Sequence, residues 1–365
     1  MFAARKKLFV VITTILLSIM IFSCNQDNTN QKNDNANEGV IYTMKDFSIK
    51  DNINYFHISG RCPLTDTGLA CDWGASGFSF NVNCEGDVSL HYTKDSEAEI
   101  FFTVYVDGVR QENRLKLTGI SGTCIIVENL VRGSHTIELY KQTQNQKGFL
   151  CEFDKVTFKG TFEAAPPAKN FTIEFLGDSI TAGIGNLGRN GIDGGEPVNS
   201  DATQTYAFIT SRALNVDFSV IAQGGASLTP GTGTGIHLAS IYKYVNFERG
   251  TECWDTEKSI NIIVVNLGTN DRGVNSNDFI DGIIAIANEL REIHKDSKIV
   301  FCMGMMAKGE RSIEFKRAVK QLGEDSKGFY FLLLPANNDG SGAHPSVIGN
   351  QDAADVLIPF LNNLL

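Results

Sequence analysis

Positive charge and histidine are both scarce in this sequence. Lys and Arg number 32 against 42 Asp and Glu, for a net charge of −10. That balance argues against nucleic acid or an anionic membrane surface as a partner. The six histidines include no H-x-x-x-H pair, and no two cysteines take the C-x-x-C spacing, so no metal site is expected. No Gly-Lys-Ser/Thr follows a glycine-rich turn, which removes a P-loop. Tryptophan occurs twice, as Trp73 and Trp254. What remains is a chain of ordinary globular composition, and its 365 residues make two domains the natural prior.

The first residues stand apart. Arg5, Lys6 and Lys7 precede an apolar run over residues 8–22, and Ser23-Cys24 follow. The run is short for a membrane span, which needs about 20 residues. It resembles a bacterial lipoprotein signal over residues 1–24, with residues 21–24 as the lipobox. The resemblance implies lipidation of Cys24 and an exported protein, periplasmic or on the cell surface, that meets the membrane through that lipid alone; an N-terminal membrane anchor is the alternative. Residues 25–38 are polar, Asn-rich and without apolar periodicity, as expected of a disordered tether. Apart from Cys24 there are seven cysteines: Cys62, Cys71, Cys84, Cys124, Cys151, Cys253 and Cys302. An odd number leaves at least one free in an oxidising compartment. Cys62 and Cys71 either pair across a loop or sit as buried small hydrophobes.

Residues 39–162 read as short alternating strands broken by turn residues. Residues 77–83, 88–92, 100–106, 115–117, 124–127, 136–140 and 149–158 form the series, and Asp107-Gly108 is a hairpin signal. With no long helical period between them, these predict a jelly-roll-like β-sandwich. Trp73 either stacks on a sugar or lies in the core. His57, His91 and His135 are expected to be structural. Residues 163–170, with Pro166-Pro167, form the linker.

Over residues 171–365 strands and helices alternate. Residues 171–176, 216–222, 260–267, 298–303 and 329–334 read as strands. Residues 205–214, 236–244, 277–294, 312–322 and 347–364 read as helices. The alternation predicts a doubly wound parallel sheet in an α/β/α sandwich. The chemistry-bearing residues fall where strands end. Residues 171–176 stop at Gly177, and Ser179 is presented in the turn beyond, where ligands of open α/β sheets bind. Ester hydrolysis needs a serine, a base and donors aimed at the oxyanion. His344 is the base candidate, Gly224 and Ser179 offer backbone N–H groups, and Asn270 offers its side-chain amide. Thr181 stands where a G-x-S-x-G nucleophile elbow needs its last glycine. His237 and His294 are weaker base candidates.

GDSIT (177–181), a strand-end glycine, GTND (268–271) and the late dipeptide His344-Pro345 resemble the SGNH, or GDSL, hydrolase superfamily. The resemblance implies Ser179 and His344 as catalytic residues and Ser179, Gly224 and Asn270 as the oxyanion hole, with Gly225 as the adjacent alternative. The family usually carries an Asp three residues before the His, and Ser341 occupies that position here. Asp339 then orients the imidazole through a Gly-rich loop, or a backbone carbonyl does and the site is a Ser-His dyad. A β-sandwich followed by such a domain is similar to carbohydrate esterase family two, whose members remove acetyl groups from plant polysaccharides. That implies a carbohydrate acetyl esterase acting on an acetylated polysaccharide or oligosaccharide through an acetyl-Ser179 intermediate, without cofactor or metal. Trp254 either lines a sugar subsite or packs. A lipid- or aryl-ester-directed GDSL esterase and a non-catalytic glycan-binding lipoprotein are the competing readings.

Overall fold

The computed structural model describes residues 42–195, 197–246, 259–307 and 309–365. The leader with Cys24, the tether, Cys253 and Trp254 lie outside the described residues. Residues 42–365 make one compact unit.

Its first half is all antiparallel. The strands are β1 (Met44–Ser48), β2 (Phe56–Ser59), β3 (Leu69–Cys71), β4 (Gly77–Lys94), β5 (Ile100–Val106), β6 (Val109–Arg110), β7 (Leu115–Leu117), β8 (Ser121–Lys141) and β9 (Cys151–Phe162). They pair in the order β1-β9-β4-β8-β5-β6, with β2 on β4, β3 on β9 and β7 on β5. Strand alternation puts Phe78, Phe80, Val82, Val88 and Leu90 of β4 into one core with Phe102, Leu139, Phe153 and Phe158. Two expected pairs of short strands are each a single long strand. β4 runs through Gly86, where the register shifts, and β8 runs from Ser121 to Lys141 against it. A bulge leaves Asp154 unpaired on β9, so that both Phe153 and Val156 face the core. Asp107 and Gly108, both at positive φ, close the β5–β6 hairpin as their sequence predicts.

The second half is α/β. Strands β10 (Thr172–Gly177), β11 (Asp217–Ala222), β12 (Ile262–Asn266), β13 (Lys298–Gly304) and β14 (Phe329–Leu334) form a parallel sheet in the order β11-β10-β12-β13-β14. Helices α1 (Tyr206–Leu214), α2 (Leu238–Tyr242), α3 (Ser276–Ile293), α4 (Ser312–Leu322) and α5 (Val347–Asn362) connect or flank them. β12 is buried along its whole length, which is why it reads as an unbroken apolar run. α3 buries Phe279, Ile283, Ile286 and Leu290 on one face, and its cap Asn275 accepts from the N–H groups of Asn277 and Asp278.

The halves are welded rather than tethered. Trp73 belongs to the core of the α/β half, where its Nε1 donates to the Val245 carbonyl at 2.7 Å. It is a core residue, not a sugar platform. Tyr105 and Tyr140 pack on Phe208, with the Tyr140 and Phe208 rings 5.0 Å apart edge to face. The N–H of Gly60 donates to the Phe218 carbonyl at 2.9 Å. Arg61 adds a buried charge to these contacts: its guanidinium donates to the carbonyls of Tyr242 and Tyr244 and lies 3.3 Å from Glu174 on β10. Both side chains of the pair are almost wholly buried. Glu174 also accepts from Ser219 Oγ at 2.9 Å and from the Tyr242 hydroxyl at 2.7 Å.

Removing one partner of a buried ion pair strands the other charge, at a typical loss of about 3 kcal/mol or more. Arg61→Met is therefore expected to lower the unfolding free energy by roughly that amount in urea titration. Arg61→Met combined with Glu174→Leu should recover a large part of it. Equal losses in the single and double variants would contradict this role for the pair.

Candidate active site

Three strand ends lie at one level. Gly177 of β10 pairs with Ala222 of β11 on one side and Asn266 of β12 on the other. The loops that follow these residues carry Ser179, Gly224 and Asn270, so residues nearly a hundred positions apart meet at the carboxyl edge of the sheet.

After Gly177 the chain turns at once. A Cβ on Gly177 would lie 2.0 Å from Thr181 Oγ1, so the turn accepts only glycine there. Asp178 Oδ1 accepts from the N–H of Ile180 at 2.9 Å, and the Ser179 carbonyl accepts from the N–H of Ile184 at 3.0 Å. These bonds fix a helical turn that begins at Ser179. The side chain of Ser179 is half-buried. Neither its hydroxyl nor its backbone N–H bonds to another group among the described residues.

Gly224 follows β11 in a turn closed by the Ala226 N–H to the Gln223 carbonyl at 3.0 Å. A Cβ at Gly224 would meet Ile184 Cδ1 at 2.9 Å. The neighbouring Gly225 sits at φ +81°, where a Cβ would lie 2.2 Å from Thr234 Cγ2, and its carbonyl is taken by the Thr234 N–H. Neither the Gly224 N–H nor the Gly225 N–H donates to an acceptor among the described residues; Gly224 is the one set against Ile184 and Gln144. The side chain of Gln144 stands against Gly224, with Oε1 3.4 Å from the position a Cβ would take. Gln144 comes from the β8–β9 connection of the all-β half, and its Oε1 is buried without a hydrogen-bond partner among the described residues. No feature of the sequence marks it.

Asn270 ties the three loops together. Its Nδ2 donates to Asp178 Oδ2 at 3.2 Å and to the Ala226 carbonyl at 2.9 Å. Both amide hydrogens are thereby engaged, so Asn270 reaches an oxyanion only by exchanging one of them. The adjacent Asp271 is buried and accepts from the N–H groups of Leu228 and Thr229 at 3.1 and 2.7 Å, which clamps the β11–α2 loop. Burial, reinforced by the charge of Asp271, pushes Asp178 up to about 7.

His344 ends a short turn over Ser341–Ala343. Its Nδ1 donates to the Ser341 carbonyl at 3.1 Å, and the same carbonyl accepts the His344 backbone N–H at 3.2 Å. This bond fixes the Nδ1–H tautomer and leaves Nε2 with its lone pair. The Ser341 side chain turns the other way: its Oγ and N–H both donate to the Gly185 carbonyl, at 3.2 and 2.9 Å. The histidine loop is thus docked on the turn that carries Ser179. Asp339 does not orient the ring. Its carboxylate is exposed and accepts from Asn337 Nδ2 at 2.9 Å, and the place at Nδ1 is filled by the carbonyl. Burial lowers the His344 pKa below the ordinary histidine value, partly offset by the Ser341 bond.

The other histidines are accounted for elsewhere. His237 bonds to the Leu228 carbonyl, His294 to the Tyr242 hydroxyl, and His57, His91 and His135 to Asp217, Asp154 and Asp107. A cleft of about 440 Å³ opens between the Asn270 loop, Met303, Met306 and Ala343, the neighbour of His344. A larger cavity of about 740 Å³ is lined by Phe329 and Phe360. It lies toward the amino ends of the strands, away from Ser179.

Two substitutions separate these roles. Asp339→Ala is expected to leave kcat/KM on a simple acetyl ester within about twofold, as for an exposed surface change. Gly342 is at φ +64°, and a Cβ there would lie 3.3 Å from His344 Nδ1. Gly342→Val should therefore displace the ring and lower kcat by about tenfold or more. Steady-state kinetics on both variants checks this, and a larger loss in Asp339→Ala would reverse the assignment.

The chain matches two family models in succession, carbohydrate esterase 2 N-terminal over residues 58–167 and GDSL-like lipase/acylhydrolase over residues 173–357. It is similar to the cellulase/esterase CelE of Acetivibrio thermocellus, 29% identical over 84% of this chain and 39% of that protein. The chain thus spans well under half of that relative. It is also similar to an acetylxylan esterase/glucomannan deacetylase of Cellvibrio japonicus, 23% identical over 85% of this chain and 89% of that one. Among solved structures, a family two carbohydrate esterase from Clostridium thermocellum in complex with cellohexaose superposes with a TM-score of 0.78 at 27% identity, covering 84% of this chain and 98% of that one. The acetyl xylan esterase Est2A from Butyrivibrio proteoclasticus shares the fold, with a TM-score of 0.79 at 22% identity over 88% of this chain and 98% of that one. The serine-bearing turn, the two donor loops and the histidine loop all lie within the second match, and by that match this chain belongs to the GDSL-like lipase/acylhydrolase family of carboxylic ester hydrolases.

Proposed function

We propose that this protein is a serine esterase that removes O-acetyl groups from plant-type polysaccharides or oligosaccharides. The observation that carries the reading is the fusion itself. A carbohydrate esterase 2 N-terminal half runs directly into the acylhydrolase half, and its Gln144 stands against Gly224.

In the proposed reaction His344 Nε2 takes the proton of Ser179 Oγ as the oxygen attacks the acetyl carbonyl. The N–H groups of Ser179 and Gly224 receive the developing oxyanion, and the Asn270 amide joins them if it releases Asp178 or Ala226. Nε2 returns the proton to the departing sugar oxygen, leaving acetyl-Ser179. Water then attacks that ester with Nε2 again as base, and acetate leaves. The ring is held by the Ser341 carbonyl alone, so the pair works as a dyad. Every step uses groups of this chain. The leader further supports export and lipid attachment at Cys24 to a bacterial membrane, in the periplasm or at the cell surface, with an acetylated glycan as the soluble partner.

The test is acetate release from acetylated xylan and glucomannan, beside longer acyl esters, by wild type and Ser179→Ala. Wild type is expected to release acetate and Ser179→Ala to lose at least 10³-fold in kcat. Preference for long acyl esters would favour a lipid-directed esterase, and acetate release persisting in Ser179→Ala would overturn the mechanism. The pH profile is a second check. A lowered histidine pKa keeps Nε2 unprotonated, and the base competent, to lower pH. The acid limb of kcat/KM should therefore have its midpoint below about 6.5, the ordinary histidine value.

A further inference from the structure

Cys62 and Cys71 flank a tight hairpin at the heart of the junction between the halves. Inside it the Ala70 N–H donates to the Pro63 carbonyl at 3.0 Å, Leu64 bridges Leu69, and the Thr65 N–H donates to the Gly68 carbonyl at 2.8 Å. This ladder brings the two flanking residues face to face, and their Sγ atoms lie 3.1 Å apart. Both are fully buried. Cys151 faces Cys71 across the β3–β9 register, but among the described residues Cys62 and Cys71 form the sulfur pair in contact. The flanks of the hairpin do the joining described above: Arg61 precedes Cys62, and Asp72 and Trp73 follow Cys71. Arg61 and Trp73 hold the carbonyls of Tyr242, Tyr244 and Val245.

We propose that Cys62 and Cys71 form a disulfide in the mature protein, stapling the hairpin whose two ends grip the hydrolase half. The inference rests on the export part of the reading above, since such bonds persist in oxidising compartments. In the reaction the two thiols lose two protons and two electrons, the Sγ–Sγ bond forms, and an exogenous small-molecule or protein disulfide is reduced to two thiols. Burial raises the Cys62 thiol pKa. A thiolate is then scarce once the hairpin is packed, so the bond forms while the segment is still open to the oxidant. Cys151 stays a thiol in the apolar core.

The experiment uses the chain from residue 25, exported behind an established secretion signal so that its own leader is not at issue. The protein is denatured, alkylated without reductant and digested with trypsin. The peptide over residues 62–94 contains Cys62, Cys71 and Cys84. It should carry one alkyl group, on Cys84, and three after reduction. Reductant should also lower the melting temperature of wild type by several degrees and leave that of Cys62→Ala/Cys71→Ala unchanged. Three alkyl groups without reduction, or a Cys71–Cys151 cross-link, would overturn the proposal. A reductant shift that persists in the double variant would do the same. None of these outcomes depends on esterase activity.

Discussion

Register between parallel strands is the constraint on which this site depends. Gly177, Ala222 and Asn266 stand side by side because β10 pairs in step with both neighbours. A slip of one residue would turn the whole strand over. The apolar faces of Phe175 and Leu176 would then exchange cores, and the loop carrying Ser179 would be carried out of level with the other two. Burial of the sheet on both faces therefore specifies the geometry of the candidate site as well as the fold. The loops need only short ties after that: Asn270 to Asp178 and Ala226, Asp271 to Leu228 and Thr229, and Ser341 to Gly185.

The all-β half is part of the same construction. It sends Arg61 and Trp73 into the hydrolase core and sets Gln144 against Gly224. Two halves joined through a buried ion pair, an aromatic cluster and a shared wall have little freedom to move as independent bodies. The position of the first half beside Gly224 is fixed by packing.

Much of this was legible in the sequence, for physical reasons. The central strand β12 is buried throughout and reads as an unbroken apolar run, and all five parallel strands were readable within about two residues. The strand-end glycine Gly177 was readable, but the sequence does not choose between Gly224 and Gly225, because the close approaches that bar a side chain at Gly177 and Gly224 exist only in the fold. The long strands β4 and β8 were not readable as single elements. Gly86 and the polar stretch around Asn129 look like breaks, and only pairing across the bulge carries the strands through. The partner of His344 was illegible in a different way. Every residue owns a carbonyl, so a base oriented by the backbone leaves no side-chain signature. An acid nearby in sequence, Asp339, was the visible candidate, and the turn over Ser341–Ala343 points it into solvent. Gln144 had no signal at all, because its role comes from the contact between halves.

The central claim is that Ser179 is a nucleophile activated by His344 alone. An organophosphonate ester that reacts only with an activated serine tests it directly. After incubation and digestion, mass spectrometry should find a single adduct, on Ser179, with labelling abolished in His344→Ala and retained in Asp339→Ala. Labelling elsewhere, no labelling of an active protein, or labelling that needs Asp339 would contradict the account.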